Sequence, residues 1–444
     1  MISTDPITVV HADLSRGLPD LELSDDRGLC LILWWKDVPL GQARFPAGQW
    51  PTTERLPDVV AGASVLTVAD MLFERELFER ELFEREVGEP LPALAPPVLP
   101  SGPPWFDELS VLERPLERVD ERVRHDDTDE AFQGTVSVVV CTRDRPDELP
   151  RCLRALRGLR PEPSEIIVVD NAPHTAATRE LVARHPFARY VPEVRPGLSR
   201  ARNAGVRHAR GDIVAFTDDD AAPHPRWVGR LARAFENPTV AAVTGLLLPA
   251  ELETEGQVVF ETVLGWFPSG TRAVTFGHRF FESNLRWGVP VWLIGAGANM
   301  AVRRSALIAA GLFDERLGAG AAGCSEDSEL WYRLLARGWA CQYEPTAVVF
   351  HRHRRELQEV RRQVYAYMRG HVAALFVQFA RHGHWGNLRR ALLGLPRYYV
   401  RQARDRALGG ERLHETEVAA IRGYLAGLRL LPAMMRSNAP RPAP

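Results

Sequence analysis

The run Ile213-Val214-Ala215-Phe216-Thr217 is β-favouring and largely apolar, and it stops abruptly at three consecutive carboxylates, Asp218, Asp219 and Asp220. Such a run reads as a buried strand of a parallel sheet, and open α/β sheets bind ligands at the carboxyl ends of their strands. Three acids packed at one strand end repel one another unless a cation joins them. Hard divalent cations take oxygen ligands, and Mg2+ usually shares its shell with substrate phosphates. The stretch therefore points to a metal-assisted phosphate or diphosphate site, with an acidic turn after a strand as the plain alternative.

The neighbouring sequence alternates in the same manner. Val136 to Val140 reads as a strand, and Arg151 to Leu159 as a helix carrying Leu153, Leu156 and Leu159. Ile166 to Val169 is a second strand, ending at Asp170-Asn171, followed by a helix from Thr178 to Arg184 and a short strand at Arg189-Tyr190-Val191. Leu198 to Ala209 is a helix leading into the acidic strand. This alternation predicts a parallel-rich sheet with crossover helices. Three strand ends finish in polar groups (Cys141-Thr142-Arg143-Asp144, Asp170-Asn171 and the acidic triplet), and in a doubly wound sheet they converge on one crevice. The first turn lacks glycine, which argues against a Walker A loop and against G-x-G-x-x-G dinucleotide binding. Arg195, Arg200 and Arg202 precede the acidic strand, where they either meet phosphate oxygens or form a solvated helix face.

Composition prunes the alternatives. The formal net charge is -2, which gives no argument for a nucleic-acid partner. Lys36 is the single lysine, so mechanisms needing a catalytic lysine in the sheet domain are excluded. The cysteines (Cys30, Cys141, Cys152, Cys324 and Cys341) show no CxxC spacing, which fits a reducing compartment. The N-terminus lacks the basic and apolar regions of a signal peptide, and no stretch offers about 18 uninterrupted apolar residues. A cytoplasmic protein is expected.

Texture divides the chain into five parts. Residues 1–72 read as a small β-rich or α+β module. Residues 73–134 hold tandem Leu-Phe-Glu-Arg-Glu repeats (beginning at Leu72 and ending at Glu86), a proline-rich linker and a charged tether. A five-residue period advances about 140° past a full helical turn, so the Leu-Phe pairs spiral round instead of forming one face. Residues 135–353 are the α/β domain, 354–435 are helical, and 436–444 read as a disordered tail. In the helical part Tyr365, Tyr367, Trp385, Tyr398 and Tyr399 lie among many arginines. Two readings stand: an extension packing on the α/β domain, or an arginine-rich amphipathic surface making peripheral contact with a membrane that carries a lipid-linked acceptor.

Two further stretches complete the pattern. Gly295-Ala296-Gly297-Ala298-Asn299 joins a small-residue loop to an expected strand, and small side chains let a ligand approach the backbone. Ser325-Glu326-Asp327-Ser328 opens an amphipathic helix, whose dipole by itself accounts for acids in the first turn. Taken in order, Val138-Val139-Val140-Cys141-Thr142-Arg143-Asp144-Arg145-Pro146, Val168-Val169-Asp170-Asn171-Ala172, Ala201-Arg202-Asn203-Ala204-Gly205, Phe216 to Asp220, Gly297 to Arg304 and Glu326-Asp327 make residues 135–353 resemble the family 2 glycosyltransferases. The resemblance implies a GT-A fold, a Rossmann-like mixed sheet flanked by helices. It also implies metal-dependent, inverting transfer of a sugar from a nucleotide-diphosphate donor to an acceptor hydroxyl, on a glycan, a lipid-linked or a small molecule.

The resemblance assigns roles as well. Thr142, Arg143, Asp170, Arg202, Asp218 and Asp219 would bind the nucleotide sugar. Asp218, Asp220 and His351 would hold Mn2+ or Mg2+, with His353 as the alternative histidine. Asp327 would be the general base with Glu326 beside it, and Gly297 and Asn299 would face the acceptor. The rival readings are a sugar-nucleotide pyrophosphorylase, which would open with a glycine-rich loop and use lysines, and a catalytically inactive nucleotide-sugar-binding scaffold.

Overall fold

The computed structural model describes residues 5–17, 26–52, 55–64, 67, 134–263, 270–410 and 412–436. The Leu-Phe-Glu-Arg-Glu repeats, the proline-rich linker, the charged tether and the tail beyond 436 lie outside the described residues. The chain divides into two compact units.

In the first unit β1 (Ile7–Asp13) pairs in parallel with β2 (Gly28–Trp35), which pairs antiparallel with β3 (Val38–Phe45). Leu29, Leu31 and Leu33 alternate along β2 and meet Leu56 and Val60 of a helix over 56–64. The two-residue period of a strand brings these three leucines to one face, which buries them together.

The second unit is built on a mixed sheet, nine-stranded among the described residues. Its parallel part is β4 (Val136–Thr142), β5 (Glu165–Asn171), β6 (Ala188–Glu193) and β7 (Ile213–Asp218). Helices α1 (Leu149–Arg157), α2 (Ala177–Ala183) and α3 (Leu198–His208) make the crossovers. Helices on both sides explain why β4, β5 and β7 are continuous apolar runs with no polar face. Beyond β7 the chain adds β8 (Ala221–Pro223), α4 (Trp227–Arg233), β9 (Val240–Pro249), β10 (Val274–Phe276), β11 (Asn299–Arg303) and β12 (Ala340–His351). The strand order is β10-β12-β9-β11-β7-β4-β5-β6, with β8 paired to β12. This mixed α/β sheet flanked by helices is the fold class expected from the sequence.

Register brings the polar groups together. Thr142 lies opposite Asp170, and Cys141 opposite Asp218, so three parallel strands end at one edge. β11 runs antiparallel to β7 with Asn299 opposite Thr217, so its first residues start where β7 finishes. β12 ends at the same edge, with His351 opposite Ala221.

The sheet edge is held from inside by Asn299. Its Nδ2 donates to the carbonyls of Leu246 (2.9 Å) and Ala347 (2.8 Å), and its Oδ1 accepts from Trp227 Nε1 (2.8 Å). The residue is fully buried. The expectation that Asn299 faces an acceptor is therefore corrected: its amide is spent joining β9, β11, β12 and α4. Asn299→Ala orphans a buried donor and two buried carbonyls. At about 1–3 kcal/mol for each such group, it is expected to lower the thermal midpoint by several degrees while leaving nucleotide contacts in place.

The C-terminal part holds α5 (Glu326–Ala336), α6 (Leu357–His382), α7 (Leu395–Leu408) and α8 (Glu415–Leu428). Val372, Phe376, Tyr399 and Tyr424 share one core with Leu317 and Ala322 of the α/β part. The region thus packs as an extension of the α/β domain. Among the described residues no helix is long and apolar enough to cross a membrane. The five cysteines are unbridged.

Candidate active site

The strand ends and the C-terminal helices enclose a cavity of about 1160 Å3. Thr142, Arg143, Arg202, the three aspartates, Gly297, Glu326, Asp327, His351 and His353 all line it.

The aspartates divide their work by direction. Asp219 turns inward: its Oδ2 accepts from Thr142 Oγ1 at 2.7 Å, and its Oδ1 pairs with Arg145. Asp220 meets Arg145 Nη2 at 3.0 Å and His351 Nε2 at 3.3 Å, with Arg354 at 3.8 Å. Asp218 is the most open of the three, one-third exposed, with Arg202 Nη2 3.6 Å away. Burial pushes Asp219 up to about 7, reinforced by the Asp220 charge. Burial acts on Asp220 in the same sense, but His351 and Arg145 outweigh it and hold that carboxyl well below the usual carboxylate range. Arg145 thus supplies part of the positive charge that the triplet needs.

Behind Asp220 runs a chain of imidazoles. His351 Nδ1 lies 3.0 Å from His353 Nδ1, and His353 Nε2 lies 2.8 Å from Glu261 Oε2. Burial lowers the affinity of His353 for a second proton, so it is neutral. Its single proton is assigned to Nε2, facing Glu261, which leaves Nδ1 to accept from His351. That arrangement turns His351 Nε2 toward Asp220. His351 is thus the histidine that faces Asp220, with His353 behind it.

The other carboxylates lie at the start of α5. Glu326 Oε1 accepts from Arg202 Nη1 at 2.6 Å, and both side chains are buried. Asp327 Oδ1 accepts from Ser328 N at 2.6 Å, and Oδ2 from Gly297 N at 2.8 Å. A Cβ at Gly297 would sit 2.9 Å from Asp327 Oδ2 and 2.8 Å from Arg202 Nη2, so glycine is what lets these two groups close on the loop. Ser325, just before the helix, holds the left-handed conformation (φ 68°), as do Asp144 (52°) and Ala172 (48°) after β4 and β5. Non-glycine residues in that region are costly and persist where surrounding structure enforces them. α5 is pinned further along by Glu329, which accepts from Arg333 Nε at 2.8 Å within the core.

The loop feeding α5 lies directly against α6. A Cβ at Gly323 would meet the backbone of Ala366, and one at Gly370 would meet the backbone of Cys324. Neither contact leaves room to move, so the position of Asp327 depends on α6.

Asp170 lies under the rim and does not line the cavity. Its Oδ2 accepts from Tyr190 at 3.0 Å, while Oδ1 is buried with no hydrogen-bond partner among the described residues. Asn171, its neighbour, does line the cavity and holds Gly197 N at 2.8 Å.

Residues 137–310 match the family model described as Glycosyl transferase family 2. The chain carries a family 2 glycosyltransferase domain. A pre-mycofactocin glycosyltransferase of Mycobacterium tuberculosis is 31% identical over 235 residues, covering 50% of this chain and 44% of that protein. The succinoglycan biosynthesis protein ExoM of Rhizobium meliloti is 31% identical over 229 residues, covering 48% and 65%. The chain thus spans about half the length of the curated relatives it matches. A solved mannosyltransferase from Pyrobaculum calidifontis, in complex with GDP-Man and Mn2+, aligns over 71% of this chain and 94% of that one, with 20% identity and a TM-score of 0.44.

The cavity is also lined by groups to which the sequence motifs assign no role at the site. Arg145 is one; its signal was the mutual repulsion of the triplet, which a protein cation relieves as well as a metal does. Trp292, Tyr367 and Arg390 are others, and they form the far wall of the cavity. Two of them lie on the C-terminal helical region, beyond every motif of the resemblance.

Proposed function

We propose that this chain is a metal-dependent inverting glycosyltransferase, moving a sugar from a nucleotide-diphosphate donor to an acceptor hydroxyl. One observation carries the reading: Asp218 and Asp220 with His351, and Asp327 apart from them, face one cavity. The relatives named as a glycosyltransferase and as a polysaccharide biosynthesis protein support the same chemistry.

The residues present fit a divalent cation, Mn2+ or Mg2+. Asp220 Oδ1 is buried without a hydrogen bond and lies 3.3 Å from His351 Nε2, an oxygen and a nitrogen aimed together. Among the described residues no three His, Cys, Asp or Glu side chains are already gathered as a metal site, so an ion would need substrate oxygens and water as well as protein ligands. Asp218, Asp220 and His351 would hold the ion, which when bound neutralises charge on the departing diphosphate. Arg143, in the wall of the cavity, would meet the phosphates.

Asp327 takes the proton of the acceptor hydroxyl as the new bond forms. Its two backbone hydrogen bonds fix the carboxylate without neutralising it. Glu326 is the positioning partner: it holds Arg202, and Arg202 in turn faces Asp218. Direct displacement from the side opposite the diphosphate inverts the anomeric centre.

Two measurements test this. A thermal-shift screen of nucleotide sugars with Mn2+ is expected to show stabilisation by at least one donor, and no stabilisation by any would sink the reading. The second is a pH profile. Burial pushes Glu326 up to about 7, against the pull of Arg202. As pH falls through that value Glu326 loses its charge, and Arg202 is left to neutralise Asp218. Donor binding is expected to weaken on the acid side with a midpoint near 7, and Glu326→Gln is expected to remove that inflection. The stability effect has the opposite sense. The folded chain takes up this proton at higher pH than the unfolded one, so a stabilising contribution is present below the ordinary value of 4.5 and is lost as pH rises to about 7.

A further inference from the structure

In the wall of the same cavity Arg390 lies over Trp292, its Cζ 3.9 Å from the ring centroid. Trp292 meets His371 edge-on at 5.1 Å. Arg390 Nε donates to His371 Nε2 at 3.4 Å. Burial, and then the Arg390 charge, push His371 down to about 3, so it is neutral and able to accept. Tyr367, Met368, Leu395 and Tyr399 continue the wall with apolar and aromatic surface.

Arg390 differs from the other arginines of this site. Arg145 and Arg202 each pair with two carboxylates. Among the described residues no carboxylate pairs with Arg390, and burial alone lowers its proton affinity to about 10. A partly buried charge without a counter-charge is costly, and a guanidinium presents a planar fork that matches carboxylate or phosphate oxygens. Stacking on Trp292 aims that fork and contributes cation–π attraction. The place is also right. Five residues lead from Trp292 to Gly297, whose N–H binds Asp327, a reach of at most about 18 Å.

We propose that the acceptor is an aromatic or otherwise apolar hydroxyl compound bearing an anionic group, and that Arg390 on Trp292 clamps that group while the hydroxyl faces Asp327. The inference rests on the glycosyl-transfer reading and names its acceptor class. The acceptor oxygen forms the new bond to the anomeric carbon, and its proton passes to Asp327. The bond from that carbon to the diphosphate breaks, and its electron pair leaves with the diphosphate. The anion itself is not consumed.

The test uses the full chain with Mn2+ and, separately, UDP and GDP. Two pairs of probes are titrated by calorimetry: 3-(4-hydroxyphenyl)propanoate against its methyl ester, and 12-hydroxyfarnesyl phosphate against 12-hydroxyfarnesol. In at least one pair the anionic member is expected to bind about tenfold or more tightly than its neutral partner, a factor that corresponds to about 1.4 kcal/mol. A preference in the aryl pair identifies a soluble acceptor, and one in the prenyl pair a lipid. Arg390→Met is expected to erase the preference with nucleotide affinity unchanged, and Arg390→Lys to keep part of it. Nucleotide affinity also reports whether each variant is folded. Equal binding within both pairs, or a preference that survives in Arg390→Met, would overturn the proposal while leaving the transferase reading intact. Failure of both nucleotides to bind the wild-type chain would instead remove the transferase reading and this inference with it.

Discussion

Asp327→Asn is expected to reduce sugar transfer by about 10²- to 10⁴-fold, the range that removal of a general base commonly costs, with metal-dependent donor binding little changed. The separation follows from position. Asp327 touches Ser328 N and Gly297 N and no other group of the triplet, Arg145 or His351. An asparagine keeps the shape and one of the two backbone bonds, but its amide nitrogen opposes an N–H donor and has no lone pair for the acceptor proton. Single-turnover transfer and calorimetric donor titration on the same preparation give the two numbers. Parallel loss of both would show that Asp327 belongs to the donor side, and the assignment as base would fall.

The second large effect is at Asp220. Asp220→Asn removes the buried carboxylate on which Arg145, His351 and Arg354 converge. Its neutral replacement leaves that positive surround in place, which repels a cation. The increment of donor affinity gained on adding Mn2+ is expected to fall at least about 10- to 100-fold, as for loss of groups that support a metal site. His351→Ala is expected to lose less, since it removes one nitrogen and leaves the carboxylate in place. The measurement is a donor titration with and without Mn2+, followed by chelation. An undiminished Mn2+ effect in Asp220→Asn would place the ion elsewhere.

The α/β part was legible because parallel strands buried on both faces are written as unbroken apolar runs, and their crossover helices as a change of period. The polar ends of β4, β5 and β7 stood out against those runs, as did Glu326 and Asp327 at the start of a helix. β9, Val240–Pro249, is as apolar as β7, yet it ends without polar groups, so nothing marks it in the sequence. Asn299 misled for a physical reason. It sits at a strand start beside a small-residue loop, where an acceptor contact and an inward lock look alike, and only register shows the amide turned toward Leu246 and Ala347. The far wall was invisible for another reason. Periodicity tells which face of α6 is apolar but not that His371 meets Trp292 in a cavity that Tyr367 also lines, because that contact depends on how separate elements dock.

The backbone fit of Gly370 on Cys324, and of Gly323 on Ala366, gives the chain an uneven freedom to vary. Side chains on the cavity face of α6 and α7 can change one at a time, because the strand-end loops assigned to the donor on the proposed reading are written elsewhere in the sequence. A residue inserted in α6 has no such latitude. Placed ahead of Gly370, it would turn every later side chain of that helix by about 100° and carry Gly370 off its seat. On the proposed reading, the cavity wall built by α6 and α7 is therefore open to substitution and closed to insertion ahead of Gly370.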